Sequence, residues 1–257
     1  MESALPQTPG VAVTVVVPTY QRRARAVALV QSLDAQRTSH RVDVVVVVDG
    51  STDGTADALR ALRTRVPVTV VEQANAGRSS ACNAGAARAD GDVLVFLDDD
   101  MVAVPGFVDA HVACLRECEV SVGDVPMHPD SPPSVLTPGI EAWASSRRDR
   151  LTAPGAQLGL GDFLTGNMAI RRVHWDALGG FDEAFTADGT FGNEDIDLGV
   201  RATERGLRLR FAPDAVARQH YVVSPRAYLR QWHDAGAADV ALVNKHPQRG
   251  PEVMRGN

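Results

Sequence analysis

Residues 93–101 read VLVFLDDDM: five apolar side chains, Val93 to Leu97, run directly into three carboxylates, Asp98, Asp99 and Asp100. An apolar run of strand length without alternation is the pattern of a strand buried on both faces, as in a parallel sheet covered by helices. Three adjacent carboxylates repel one another, and the triplet is stable only where water, hydrogen-bond donors or a cation relieves it. Oxygen ligands of this kind suit Mg2+ or Mn2+, which bind one or two carboxylates and keep several waters. A solvated acidic turn explains an isolated DDD about as well.

The same arrangement recurs upstream. VAVTVVV (11–17), VDVVVVV (42–48) and VTVV (68–71) alternate with helix-like segments at 22–37, 53–64 and 77–88, and a further helix-like segment at 105–118 follows VLVFL. That alternation predicts βαβ units and an α/β fold with a mostly parallel central sheet. Each strand ends in polar residues: Pro18-Thr19-Tyr20, Asp49-Gly50-Ser51, Glu72-Gln73-Ala74-Asn75 and the aspartate triplet. In an open parallel sheet these carboxyl ends face one crevice, where ligands bind. After about residue 120 the pattern becomes irregular, with a proline-rich segment at 128–139, and the stretch from about 126 to 165 offers no pattern that can be decoded. Helical periodicity returns in EDIDLGVRATERG, which Gly206 stops, and from about 225 to 246.

The chain has 257 residues, 44% of them hydrophobic and 23% charged, which predicts one soluble domain. A net charge of −6 with scattered arginines disfavours nucleic acid as a partner. Cys82, Cys114 and Cys118 read as small buried thiols, because the last two lack the further ligands of a zinc site. The longest apolar stretches are only of strand length, so a cytoplasmic protein is expected, with a peripheral visit to a membrane surface left open.

The ordered set VVVPTYQRR, VVVVVDGSTDGT, NAGRSSACNAGAARADGDVLVFLDDDM, FLTGNMAIRRVHWDALGGFDEAF and FGNEDIDLGVRA resembles the family 2 glycosyltransferases of GT-A fold over about residues 11–222. The resemblance implies a single domain at 11–257 behind a loose tail at 1–10. Within it lie a nucleotide-sugar-binding half (11–125), an acceptor and catalytic half (126–222), and a C-terminal helix and tail (223–257).

It also implies roles. Pro18, Thr19, Tyr20 and Arg22 lie along the nucleotide, Asp49 contacts the base, and Asn75, Gly77 and Arg78 approach base and phosphates. The D-x-D pattern places Asp98 near the ribose and Asp100 on a divalent cation, Mn2+ or Mg2+, with Asp99 between them. His220 stands where a metal or phosphate ligand is common, although a packed histidine fits that position nearly as well. Thr165, Gly166 and Asn167 line the acceptor side, and Glu194-Asp195 is the acidic pair, with Asp195 as general base of an inverting transfer.

Two departures stand out: Val48 precedes Asp49 where many members have an acid, and Cys82 stands where an arginine is frequent. The implied substrates are a nucleoside diphosphate sugar, a UDP-sugar favoured, and a hydroxyl-bearing small-molecule, saccharide or lipid-linked acceptor. The last helix could pair two copies into a homodimer. A sugar nucleotidyltransferase and a non-catalytic nucleotide-sugar-binding protein are the competing readings. A dinucleotide-dependent oxidoreductase is disfavoured, since no G-x-G-x-x-G follows the first strand.

Overall fold

The computed structural model describes residues 10–187 and 192–250; residues 1–9 of the expected tail, and 251–257, lie outside the described residues. The first half follows the predicted alternation: β1 (Ala12–Thr19), α1 (Arg23–Asp34), β2 (Arg41–Asp49), α2 (Thr55–Arg60), β3 (Val68–Gln73), α3 (Arg78–Arg88) and β4 (Val93–Leu97). The second half continues with β5 (Met101–Ala103), α4 (Phe107–Cys114), β6 (Val120–Asp124), α5 (Thr137–Thr152), β7 (Asn167–Arg171) and α6 (Arg172–Leu178). It ends with α7 (Glu194–Glu204), β8 (Leu209–Gln219) and α8 (Pro225–Lys245).

The eight strands form one sheet in the order β3-β2-β1-β4-β7-β6-β8-β5. β3, β2, β1 and β4 are parallel neighbours. β7 runs antiparallel between β4 and β6, pairing Leu97 with Asn167 and so bringing residues 165–167 beside the aspartate triplet.

β1 shows why the runs are continuous. Val15 and Val17 pack toward α1 and α4, whereas Val16 faces the opposite layer with Phe96, Trp175, Phe181 and Leu198, so successive side chains enter two different cores. Phe96 anchors the second core, its ring centroid 4.4 Å from Trp175 and 5.5 Å from Phe181.

Three expectations change. The irregular stretch contains the 16-residue α5, with a proline in its first turn, where a missing N–H costs nothing. Its only buried residues are Arg147 and Leu151, so it carries no apolar stripe by which sequence could reveal it. β8 is an 11-residue strand with Pro213 inside it, tolerated because the register with β6 jumps from Gly123↔Ala212 to Asp124↔Val216. α2 and α4 are shorter than the segments 53–64 and 105–118. Asp53 lies ahead of α2, where its carboxylate accepts the Thr55 and Arg23 N–H groups at 3.1 and 3.0 Å. Along α8, Leu229, Trp232 and Val240 are exposed, and no helix among the described residues is long and apolar enough to cross a membrane.

Candidate functional site

The carboxyl ends of β1, β2 and β4 open onto a cleft of ≈ 440 Å³ lined by Pro18, Thr19, Tyr20, Asp49 and the aspartate triplet, with Arg22 and Arg78 at its walls. Three of the four expected strand ends are thereby brought together with the two arginines, while the end of β3 meets the site only through Gln73 and Asn75, which donate to Asp49.

The triplet is divided by its partners. Asp98 takes the Arg78 guanidinium, at 2.9 Å from Nε and 2.8 Å from Nη2. Asp99 is buried, accepts the Thr19 hydroxyl at 2.7 Å, and shares Nη1 of Arg22 with Asp100 at 3.0 and 3.1 Å. Burial raises the Asp99 carboxyl above its usual range, and burial together with the Asp98 charge raises Asp100 to about 6. The repulsion anticipated from sequence is therefore relieved by two arginines.

Asp49 supports the neighbouring loop. Its carboxylate accepts Gln73 Nε2 and the N–H groups of Ala76 and Gly77 at 2.8, 2.9 and 3.0 Å, while Asn75 donates to the Asp49 carbonyl at 3.1 Å. Gly77 has φ +89°, and an added Cβ would lie 2.0 Å from the Thr186 carbonyl oxygen, so only glycine permits the chain to pass there into α3. Asn75 and Gly77 shape the cleft from behind this loop and do not line it.

Arg78 also reaches the other half of the chain. Its Nη1 donates to the Thr165 hydroxyl and to Glu194 Oε1, each at 3.1 Å. Burial opposes its charge, but Asp98 and Glu194 hold it firmly protonated. Asp195, next in line, is half-buried; burial and the Glu194 charge raise its carboxyl to about 7, although the Ile196 N–H donates to it at 2.8 Å. Asn193, with φ +68°, turns the chain into α7 and donates to Asp239 of α8 at 2.9 Å. Asp197 is fully buried and binds Arg201, Lys245 and His246, which locks α7 to the end of α8. His246 is thus a packing residue of that lock.

The acceptor-side trio separates in the structure. Thr165 is tied to Arg78, and Gly166 lies so close to Asp98 that an added Cβ would be 2.4 Å from its Oδ2. Asn167 is fully buried and its amide is engaged three times, donating to the carbonyls of Asp124 and Ala215 at 3.0 and 2.9 Å and accepting from His111 Nε2 at 2.9 Å. This corrects the acceptor-lining expectation for Asn167: its polar atoms are consumed inside the fold. His111 is held neutral, lowered to about 4 by burial, with Ser121 on its other nitrogen.

His220 lines an adjoining cleft of ≈ 360 Å³ that shares Arg22, Asp100 and Gln219 with the first. Its N–H donates to the Asp100 carbonyl at 2.8 Å, its ring stacks on His128 at 3.8 Å, and its buried Nδ1 has no hydrogen-bond partner. Among the described residues no three His, Cys, Asp or Glu side chains converge as a ready metal site, so Asp98, Asp100 and His220 are not preassembled. The donor set nevertheless fits a hard divalent cation: two carboxylates, here paired with guanidinium groups, and one orphaned imidazole nitrogen. Sequence reasoning missed Gln219, which donates weakly to Asp100 at 3.3 and 3.4 Å, Gln231 from α8, and His128. Only Gln219 carried a signal, its position beside His220. Cys82 is fully buried, its thiol pushed up to about 12 by burial against the opposing pull of the neighbouring Arg78 charge.

Comparison with known proteins agrees with this geometry. The glycosyl transferase family 2 model matches residues 14–178, and a model described as the N-terminal domain of galactosyltransferase matches residues 149–223. Validoxylamine A glucosyltransferase of Streptomyces hygroscopicus subsp. jinggangensis is 30% identical over 94% of this chain, which spans 62% of that relative's length. The corresponding enzyme of subsp. limoneus is also 30% identical over 94% of the chain and 58% of its own length. S. aureus TarS 1-349 in complex with UDP-GlcNAc superposes with a TM-score of 0.64 at 18% identity, covering 91% of this chain and 67% of that one. The mannosyltransferase PcManGT from Pyrobaculum calidifontis, in complex with GDP-Man and Mn2+, gives a TM-score of 0.60 at 20% identity over 99% of this chain and 77% of that one. The structural likenesses establish a shared GT-A architecture, and with the family model running from β1 through α6, the chain belongs to glycosyl transferase family 2.

Proposed function

We propose that this protein transfers a sugar, with inversion at the anomeric carbon, from a nucleoside diphosphate sugar to a hydroxyl group of an acceptor. The observation that carries the reading is the Arg78 bridge, which joins Asp98 at the end of β4 to Glu194 at the start of α7. It sets an acidic helix start against the cleft formed by the strand ends, which is the juxtaposition a donor site and a general base require. The structural neighbours in complex with UDP-GlcNAc and with GDP-Man support a nucleotide sugar as donor, a UDP-sugar first. Small-molecule, saccharide and lipid-linked acceptors fit the reading equally.

In this mechanism the acceptor oxygen attacks the anomeric carbon as the bond to the donor's phosphate oxygen breaks, and Asp195 takes the hydroxyl proton. A carboxylate raised to about 7 is matched to that work near neutral pH. Glu194, ion-paired with Arg78, positions α7. Asp49 holds the loop beneath the base, and Asp98 and Tyr20 border the nucleoside. Asp100 and Asp98, joined by His220, would hold Mn2+ or Mg2+. When bound, such a cation neutralises charge developing on the leaving diphosphate. Arg22 stands beside Asp100, ready to turn to the phosphates.

The test is a thermal-shift panel of UDP-, GDP-, TDP- and ADP-sugars, each with Mn2+ and with a chelator. One donor should raise the melting temperature in a metal-dependent way, because a ligand that binds only the native state stabilises it. A panel without any shift overturns the proposal.

A further inference from the structure

Two of the three cysteines form a pair that the site does not use. Cys114 closes α4, and Cys118 sits four residues on, in the turn leading into β6, with their sulfur atoms 3.6 Å apart. Cys118 is almost completely buried, its Sγ 3.2 Å from the carbonyl oxygens of both Cys114 and Val120. Cys114 is half-buried and forms part of the wall of a separate cleft of ≈ 310 Å³ between α4 and β8, beside Glu117, Arg210 and Phe211. One sulfur is thus reachable from solvent and the other waits directly behind it. The hydrogen bond from Cys118, assisted by the Arg210 charge, lowers the Cys114 thiol to about 6, while the same bond raises Cys118. The outer sulfur is the more readily deprotonated of the two, which is the division of labour between an attacking and a resolving thiol. Cys82, by contrast, is fully buried.

We propose that Cys114 and Cys118 are a redox-active dithiol that hydrogen peroxide converts to an intramolecular disulfide. The Cys114 sulfur attacks the peroxide, forming an S–O bond as the O–O bond breaks, and the departing hydroxide is protonated by solvent to water. The Cys118 sulfur then attacks the Cys114 sulfenic acid; the S–S bond forms, the S–O bond breaks, and hydroxide leaves with the Cys118 proton as a second water. Two thiols lose two electrons and the peroxide gains them. The sulfurs must close to about 2.05 Å. The turn at 115–117 between the end of α4 and Cys118, whose N–H groups bond back to His111, Ala113 and Cys114, must flex to allow that closure.

The experiment treats the reduced full-length chain with one equivalent of hydrogen peroxide, alkylates the remaining thiols and maps tryptic peptides. Cleavage after Arg116 places Cys114 and Cys118 on different peptides. The expected result is a disulfide joining those two peptides, Cys82 still alkylated, and free thiols falling from three to one per chain, restored by dithiothreitol. Cys118→Ser should instead accumulate a sulfenic acid on Cys114, captured by dimedone. Three thiols surviving the peroxide, preferential loss of Cys82, or a disulfide only between chains on a non-reducing gel would each overturn the proposal. If the serine variant fails to fold, the wild-type peptide map decides alone.

Discussion

Arg78 donates to Glu194 at 3.1 Å across 116 residues of sequence, so the start of α3 and the start of α7 behave as one electrostatic unit. The Arg78 side chain is 23% exposed and that of Glu194 only 10%. Removing the guanidinium leaves Asp98 and Glu194 facing each other without a cation. Arg78→Ala is expected to destabilise the fold by roughly 2–4 kcal/mol, somewhat below a fully buried pair because solvent reaches one side. Arg78→Lys should fall between, since an ammonium group cannot span both carboxylates. Urea unfolding measures both, and an alanine variant as stable as wild type would show that the bridge does not hold α7.

Asp195 carries the pH expectation. A base works ionised, so kcat should climb with pH through about 7 and level off above it. Asp195→Asn should lower kcat by about 10² to 10⁴ and remove that limb. Stability runs the other way. Between the ordinary carboxylate value of 3.8 and about 7 the folded chain keeps a proton that the unfolded chain releases, so the Asp195 contribution declines as pH rises. Melting curves at pH 8 should therefore show Asp195→Asn gaining on wild type, and no gain at pH 8 would contradict the raised carboxyl.

Arg22 shares one nitrogen between Asp99 and Asp100 and is half exposed. Solvent screening limits the loss in Arg22→Gln to about 1 kcal/mol. Added Mn2+ should narrow that deficit, because a cation takes over the carboxylates the guanidinium has left. Calorimetric titration should find Mn2+ binding tighter to the variant than to wild type; equal binding would mean that the guanidinium and the cation do not compete.

Two glycines should respond differently to one methyl group. In Gly166→Ala the obstacle is the end of the Asp98 side chain, so the fold survives while Asp98 is displaced and donor KM rises. In Gly77→Ala the obstacle is the Thr186 backbone, and φ is +89°, so the cost should reach about 2–3 kcal/mol or more. Melting temperature and donor KM, measured on both, separate the two effects.

Asn167→Ala should act as a fold mutation. It strands two buried carbonyls and the His111 Nε2 donor, each worth about 1–3 kcal/mol when left unpaired. At a temperature where the variant remains folded, acceptor KM should be close to wild type; a large rise in KM with unchanged stability would restore the acceptor-lining role.

The strand ends were legible in sequence because a doubly buried strand must be apolar throughout, and its exit into a crevice must be polar. That logic located Pro18, Thr19, Asp49 and the triplet without any coordinates. It also posed the right problem, three adjacent carboxylates, but not the observed relief, because pairing Arg22 with Asp99 spans 77 residues that no local pattern connects. α5 escaped notice because it buries almost nothing, and Asn167 was misplaced because a T-G-N turn looks alike whether its asparagine faces solvent or a buried histidine. Cys114 and Cys118 read as ordinary buried thiols, and the difference in exposure that separates them is a property of the fold alone.

β7 has a consequence for protein engineering. It arrives late in the chain yet sits at the centre of the sheet, with β4 on one side and β6 on the other. A chimera joined near residue 126, the boundary proposed between a donor and an acceptor half, would therefore take β7 from one parent and the two strands it sits between, β4 and β6, from the other. The register would have to match across the new seam at the five pairs from Val93↔Arg171 to Leu97↔Asn167, and also where β6 meets β7 and β8 and where β5 meets β8. Grafting loops at the strand ends leaves that seam intact, and is the gentler route to altered specificity.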